Sequence, residues 1–68
     1  MYYILVMRDT YINKWFIEFG DFDKWEVIAE MLYNINQGVK AADLNVIKSP
    51  AADQKTIDEI VNKLNKEG

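Results

Sequence analysis

Five carboxylates fall between Glu18 and Glu30, and three of them, Asp21, Asp23 and Glu26, are close enough in sequence to gather around one divalent cation. A calcium-binding loop needs more oxygen ligands than these and a glycine at its turn, and the segment supplies neither. Paired carboxylates can also act as acid and base. That work needs an enclosed cleft to raise one pKa, and a domain of 68 residues has little interior to offer. Nucleophilic chemistry is equally short of material. There is no cysteine and no histidine, and the hydroxyls are Ser49, Thr10, Thr56 and the tyrosines. A serine or threonine nucleophile needs a base beside it, and a turn or a helix start already accounts for each of these three. Gly20, Gly38 and Gly68 are too scattered for a phosphate-binding loop. The expectation is therefore a protein that is not an enzyme, with no catalytic residue, no metal site and no cofactor.

What the carboxylates can do instead is meet a partner. The chain carries a net charge of −3, yet the stretch from Glu18 to Glu30 alone sums to −4, because Lys24 is its only base. A purely structural role is open to these acids, as a solvated face whose first-turn members are favoured by the helix dipole. The alternative is an acidic interaction surface of Glu18, Asp21, Glu26 and Glu30, complementary to a basic groove on another protein. Nucleic acid is disfavoured as a ligand, since one arginine and no basic cluster release few counterions. Trp15, Phe16 and Phe19 have the spacing of a base-stacking strand, but such platforms work inside a positive groove.

These residues must be positioned by a small set of elements. Tyr2 to Arg8 is apolar at both parities and rich in β-branched and aromatic residues, which predicts a central strand. Lys14 to Gly20 reads as a second strand, with Trp15, Ile17 and Phe19 on one face and Lys14, Phe16 and Glu18 on the other. Turn residues from Asp9 to Asn13 join the two as an antiparallel hairpin with Tyr11 and Ile12 at its tip. Asp23 and Glu26 have the spacing of a capping box, and Phe22 and Val27 that of a hydrophobic staple. A helix from Lys24 to about Gln37 follows, ended by Gly38 in a left-handed conformation. Its apolar face is expected to be Trp25, Ile28, Met31, Leu32 and Ile35, with Val27 at its margin, opposite Glu26, Glu30, Asn34 and Gln37. Ala42 to Lys48 is a third strand with Leu44 and Val46 inward. Ile57, Ile60, Val61 and Leu64 mark a second helix that ends near Lys66 and starts anywhere from Pro50 to Ile57, with Thr56 to Glu59 as a possible capping box.

The predicted order is ββαβα, an α+β fold in one domain covering residues 1–68. A right-handed crossover through the first helix makes strand three parallel to strand two. With strand one between them the three-stranded antiparallel or mixed sheet has the order 2-1-3, and both helices are expected on one face. That arrangement leaves one parity of strand one bare. Tyr3, Leu5, Met7 and Phe16 are then a candidate apolar sheet-face surface, used by a partner or by a homodimer. The other arrangement open to this face is shielding by long side chains such as Lys14 and Lys48. No run approaches the length of a membrane span, and Met1 to Met7 lacks the features of a signal peptide. On these grounds a cytoplasmic location is expected.

The run Trp15-Phe16-Ile17-Glu18-Phe19-Gly20-Asp21-Phe22-Asp23-Lys24, followed by an acidic helix and by Asp43-Leu44-Asn45-Val46-Ile47-Lys48, resembles a pattern in small phage- and prophage-encoded accessory proteins. It covers residues 1–48, leaves the second helix outside and carries no site residues. What it implies is a context, in which a short protein binds and modulates or inhibits a host protein in the host cytoplasm. A protein-interaction module is accordingly the leading expectation. A structural or assembly protein acting as a homo-oligomer stands second, and a small nucleic-acid binder third.

Overall fold

Residues 1–67 are described by a computed structural model in which β1 (Tyr2–Asp9), β2 (Lys14–Asp21), α1 (Lys24–Asn36), one 3-10 turn (Ala41–Asp43), β3 (Leu44–Ser49) and α2 (Gln54–Glu67) follow in order. The strands form one sheet with the order β2-β1-β3, antiparallel at both junctions. The α+β fold and its strand order are therefore as the sequence predicts. At the hairpin, Asp9 opposes Lys14, and its Oδ1 accepts the Tyr11 amide at 2.9 Å. Asn13 takes the left-handed conformation, with φ of 54°, and closes the turn.

Helix α1 begins at the expected residue by a different device. Asp23 accepts the amide of Trp25 at 2.9 Å, and its own amide donates to Asp21 Oδ1 at 2.7 Å. In a capping box that second bond would go to Glu26, so Asp21 takes the role the spacing assigned to Glu26. Phe22, expected as a staple on Val27, meets Tyr2 edge-on instead, with ring centroids 4.9 Å apart. The C-terminus closes as a Schellman motif: Gly38, with φ of 104°, donates to the carbonyl of Ile35, and Val39 to that of Asn34. Asp23→Ala should lower stability by about 0.5–2 kcal/mol, whereas Glu26→Ala should leave the denaturation midpoint unchanged. Equal losses in the two variants, measured by urea titration, would restore the box.

The second helix starts at Gln54, within the predicted interval, but not through the Thr56 capping box. Asp53 caps it, accepting the Thr56 amide at 3.0 Å and the Thr56 hydroxyl at 2.8 Å. These bonds, the backbone one foremost, hold the exposed Asp53 carboxyl below its ordinary pKa. Asp53 therefore helps α2 above its unfolded-state pKa and loses that contribution as pH falls through the lowered value.

The placement of the helices departs from expectation. They cover opposite faces of the sheet. Ile4 and Val6 of β1 are buried with Ile57, Ile60, Val61 and Leu64 of α2, together with Trp15, Ile17 and Ile47. Leu5 is buried with Val27, Met31 and Ile35 of α1, and Tyr3, Met7, Phe19, Leu44 and Val46 join it. The handedness rule constrains only a helix that links parallel strands. It fixes α1, which lies between β2 and β3, and says nothing of α2, which no strand follows. Burial decides instead, because Ile4, Leu5 and Val6 are all fully inaccessible and each face of β1 needs its own cover.

Strand β2 also changes face partway. Leu5 opposes Phe19 while Val6 opposes Ile17, which leaves Glu18 as the extra residue of a β-bulge. Trp15 and Ile17 consequently face α2, whereas Phe19 faces α1. The strict alternation expected for this strand is broken there.

Candidate protein-interaction surface

The expected apolar sheet face is not a surface. Leu5 is fully buried beneath α1, and Tyr3 and Met7 pack beside it. Of that set only Phe16, which opposes Met7, stays substantially exposed at 40%. An open face for a homodimer is thereby removed, since α1 occupies it.

Exposed apolar surface is found instead on the outside of α1. Val27 and Asn34 are its buried residues, with Met31 and Ile35 beside them, so the helix is rotated relative to the expected orientation. Asn34 is tolerated inside because its Nδ2 donates to the Glu30 carbonyl at 2.9 Å. The rotation turns Trp25, Leu32 and Tyr33 outward, at 72%, 52% and 59% exposure. At 100° per residue these three and Ala29 form one stripe roughly opposite the buried side. Phe22, also exposed, precedes the helix at the same end as Trp25. Sequence reading missed this stripe because periodicity put Trp25 and Leu32 on the inner face, although eight of the helix's thirteen residues are apolar and spread over most of its circumference, so that more than one rotation buries an apolar side.

The acids split into two roles. Asp21 accepts the Asp23 amide and serves the cap. Glu26 and Glu30 lie on one flank of the outward stripe, with Glu26 exposed and Glu30 half-buried. The opposite flank, with Lys24 and Ile28, lines a groove against β3, so Glu26 and Glu30 lie toward β2. Glu18, exposed at the bulge, projects from that same edge strand. Glu26 and Glu30 thus flank the stripe on the β2 side, and Glu18 is exposed on β2 itself. Among the described residues no group of three acids is arranged to hold a metal ion.

Arg8 and Asp43 form the one ion pair among the described residues, at 2.7 Å, with the guanidinium 5.4 Å from the centre of the Trp15 ring. The pair joins β1 to the turn before β3 and explains the single arginine structurally. Comparison with protein-family models, with curated proteins and with solved structures finds no match. No helix among the described residues is long and apolar enough to cross a membrane.

Proposed function

We propose that this protein is a non-enzymatic interaction module whose outward α1 face docks into an apolar groove, rimmed by basic residues, on a partner protein. The observation that carries the reading is the stripe of Trp25, Leu32 and Tyr33, more than half exposed on a helix whose other side is already buried in the core. Aromatic side chains of this kind dominate binding energy at protein interfaces. A helix that offers such a stripe to a groove is a recurrent recognition mode. Glu26 and Glu30 beside the stripe, with Glu18 exposed on β2, add charge that would steer a basic partner and raise the association rate. The same acids oppose a nucleic-acid backbone. The resemblance to phage accessory proteins extends the reading to a role in host cytoplasm, modulating or inhibiting a host protein.

The test is capture of a partner from host lysate, repeated with variants whose folding is verified by circular dichroism. Trp25→Ala and Tyr33→Ala should each weaken binding of the captured protein by about 2 kcal/mol or more. Glu18→Gln, Glu26→Gln and Glu30→Gln combined should slow association and flatten its salt dependence. Asp21 is left intact in that variant because it serves the cap. A partner bound equally by all of these proteins would defeat the reading. So would a stable homo-oligomer in light scattering that buries Trp25 against itself.

A further inference from the structure

The two edges of the sheet are treated differently. On the β2 edge, Asn65 of α2 reaches the backbone of Trp15: its Oδ1 accepts the Trp15 amide at 2.6 Å, and its Nδ2 donates to the Trp15 carbonyl at 3.1 Å. That side-chain amide stands where a neighbouring strand would pair, and the bulge at Glu18 interrupts the rest of the edge. The β3 edge has neither device. Its pairing with β1 runs from Leu44 to Ser49 without interruption.

The Asn65 contact also fixes which backbone groups of β3 are free. Because the Trp15 amide and carbonyl point away from β1, its partner Arg8 directs its own toward the β3 side. Alternation along β1 then makes Val6, Ile4 and Tyr2 the residues that bond β3, through Asn45, Ile47 and Ser49. Leu44, Val46 and Lys48 therefore point their backbone outward. The Leu44 amide is spent on the carbonyl of Ala41, which leaves the amides of Val46 and Lys48 and three carbonyls along the edge.

Directly beside this edge, on the α1 side of the sheet, lies a groove of about 370 Å³. Tyr3, Ile28, Met31 and Val46 give it an apolar lining, and Lys24 and Lys48 stand at it with exposed side chains. No carboxylate lines it, and neither lysine has an ion pair among the described residues. In a chain with a net charge of −3 this is a local basic rim.

We infer that the β3 edge binds an extended acidic segment of another protein, which adds as a fourth strand. Its backbone would pair with Val46 and Lys48, one apolar side chain would enter the groove, and a carboxylate beyond it, toward the Lys48 end of the strand, would meet Lys24 and Lys48. Strand addition draws affinity from main-chain bonds and selectivity from alternate side chains. The charges choose the occupant: a second copy of β3 would bring Lys48 and Lys24 of both chains to the same junction, whereas an acidic strand complements them.

The probe is the blocked heptapeptide Ac-Thr-Glu-Thr-Val-Thr-Glu-Thr-NH2, which places Glu, Val and Glu on one face. Titrated into the protein labelled with nitrogen-15, it should shift the amides of Val46 and Lys48 and slow their hydrogen exchange. A peptide with Lys in place of Glu should bind about tenfold more weakly, and Lys24→Glu with Lys48→Glu should reverse that preference. Methylating alternate backbone nitrogens of the peptide, in the register that faces β3, should abolish binding and leaves the protein unaltered. The proposal is overturned if the acidic peptide leaves Val46 and Lys48 unshifted or shifts the Trp25 and Tyr33 face instead. Equal affinity for both peptides, or a protein already dimeric through β3, would overturn it as well.

Discussion

Leu5→Ala should destabilise the domain by about 2–5 kcal/mol, the cost of removing a fully buried leucine from a packed site. A chain of 68 residues is expected to hold roughly 3–10 kcal/mol in total, so much of the molecule should be unfolded at physiological temperature. The melting temperature should fall by more than about 10 °C. The effect is large because Leu5 lies under α1 against Val27 and Leu44, which are themselves buried. Truncation would leave a void between helix and sheet that neighbours on a rigid strand cannot close. Were Leu5 part of an open sheet face, the same substitution would leave stability nearly unchanged and reduce self-association. Thermal unfolding and light scattering on one sample separate the two outcomes.

Ile57→Ala should have a comparable cost, about 2–5 kcal/mol, on the other side of the sheet. Ile57 anchors α2 to Ile4 and Val6 and is the buried residue of that helix. Trp15 packs in the same cluster while Trp25 is mostly exposed. The emission of the half-buried Trp15 indole is therefore expected to report loss of the α2 side. Its unfolding midpoint in urea should move with that of far-ultraviolet circular dichroism if the domain unfolds as one unit. A midpoint within about 0.5 kcal/mol of the parent would mean that α2 contributes little to the core. Leu5 and Ile57 occupy separate clusters on opposite faces. The milder variants Leu5→Val and Ile57→Val should consequently add to within about 0.3–0.5 kcal/mol when combined.

Much of the fold could be read from local signals. Apolar residues at both parities of Tyr2 to Arg8 marked a central strand, and turn residues set the hairpin. Asp23 marked the start of α1 and Gly38 its end. The Ile57, Ile60, Val61 and Leu64 spacing located α2, and all four residues pack on its side of the sheet. Each of these features depends on neighbours within a few residues, where propensity and hydrogen-bond geometry act directly. Strand order followed too, since a two-faced strand is most fully buried between two others.

Tertiary packing decided the rest. Which face α2 covers depends on burying Ile4 and Val6, because no following strand imposes a handedness on it. The bulge at Glu18 sends Trp15 and Phe19 to opposite faces, although nothing in the sequence breaks their alternation. Periodicity put Trp25 and Leu32 on the inner face of α1, but apolar side chains surround most of the helix and more than one rotation buries an apolar side. Contact with Leu5 and Leu44 selected Val27, Met31 and Ile35 for the inside. The surfaces proposed for binding follow from those three choices. Trp25, Leu32 and Tyr33 became exposed when α1 turned. Asn65, fifty residues from Trp15 in the chain, closes the β2 edge, and no comparable side-chain contact is made to the backbone of Val46 or Lys48 on the β3 edge among the described residues. A periodic pattern can state that a residue is apolar, but only the competition among all such residues for one small core determines which remain outside.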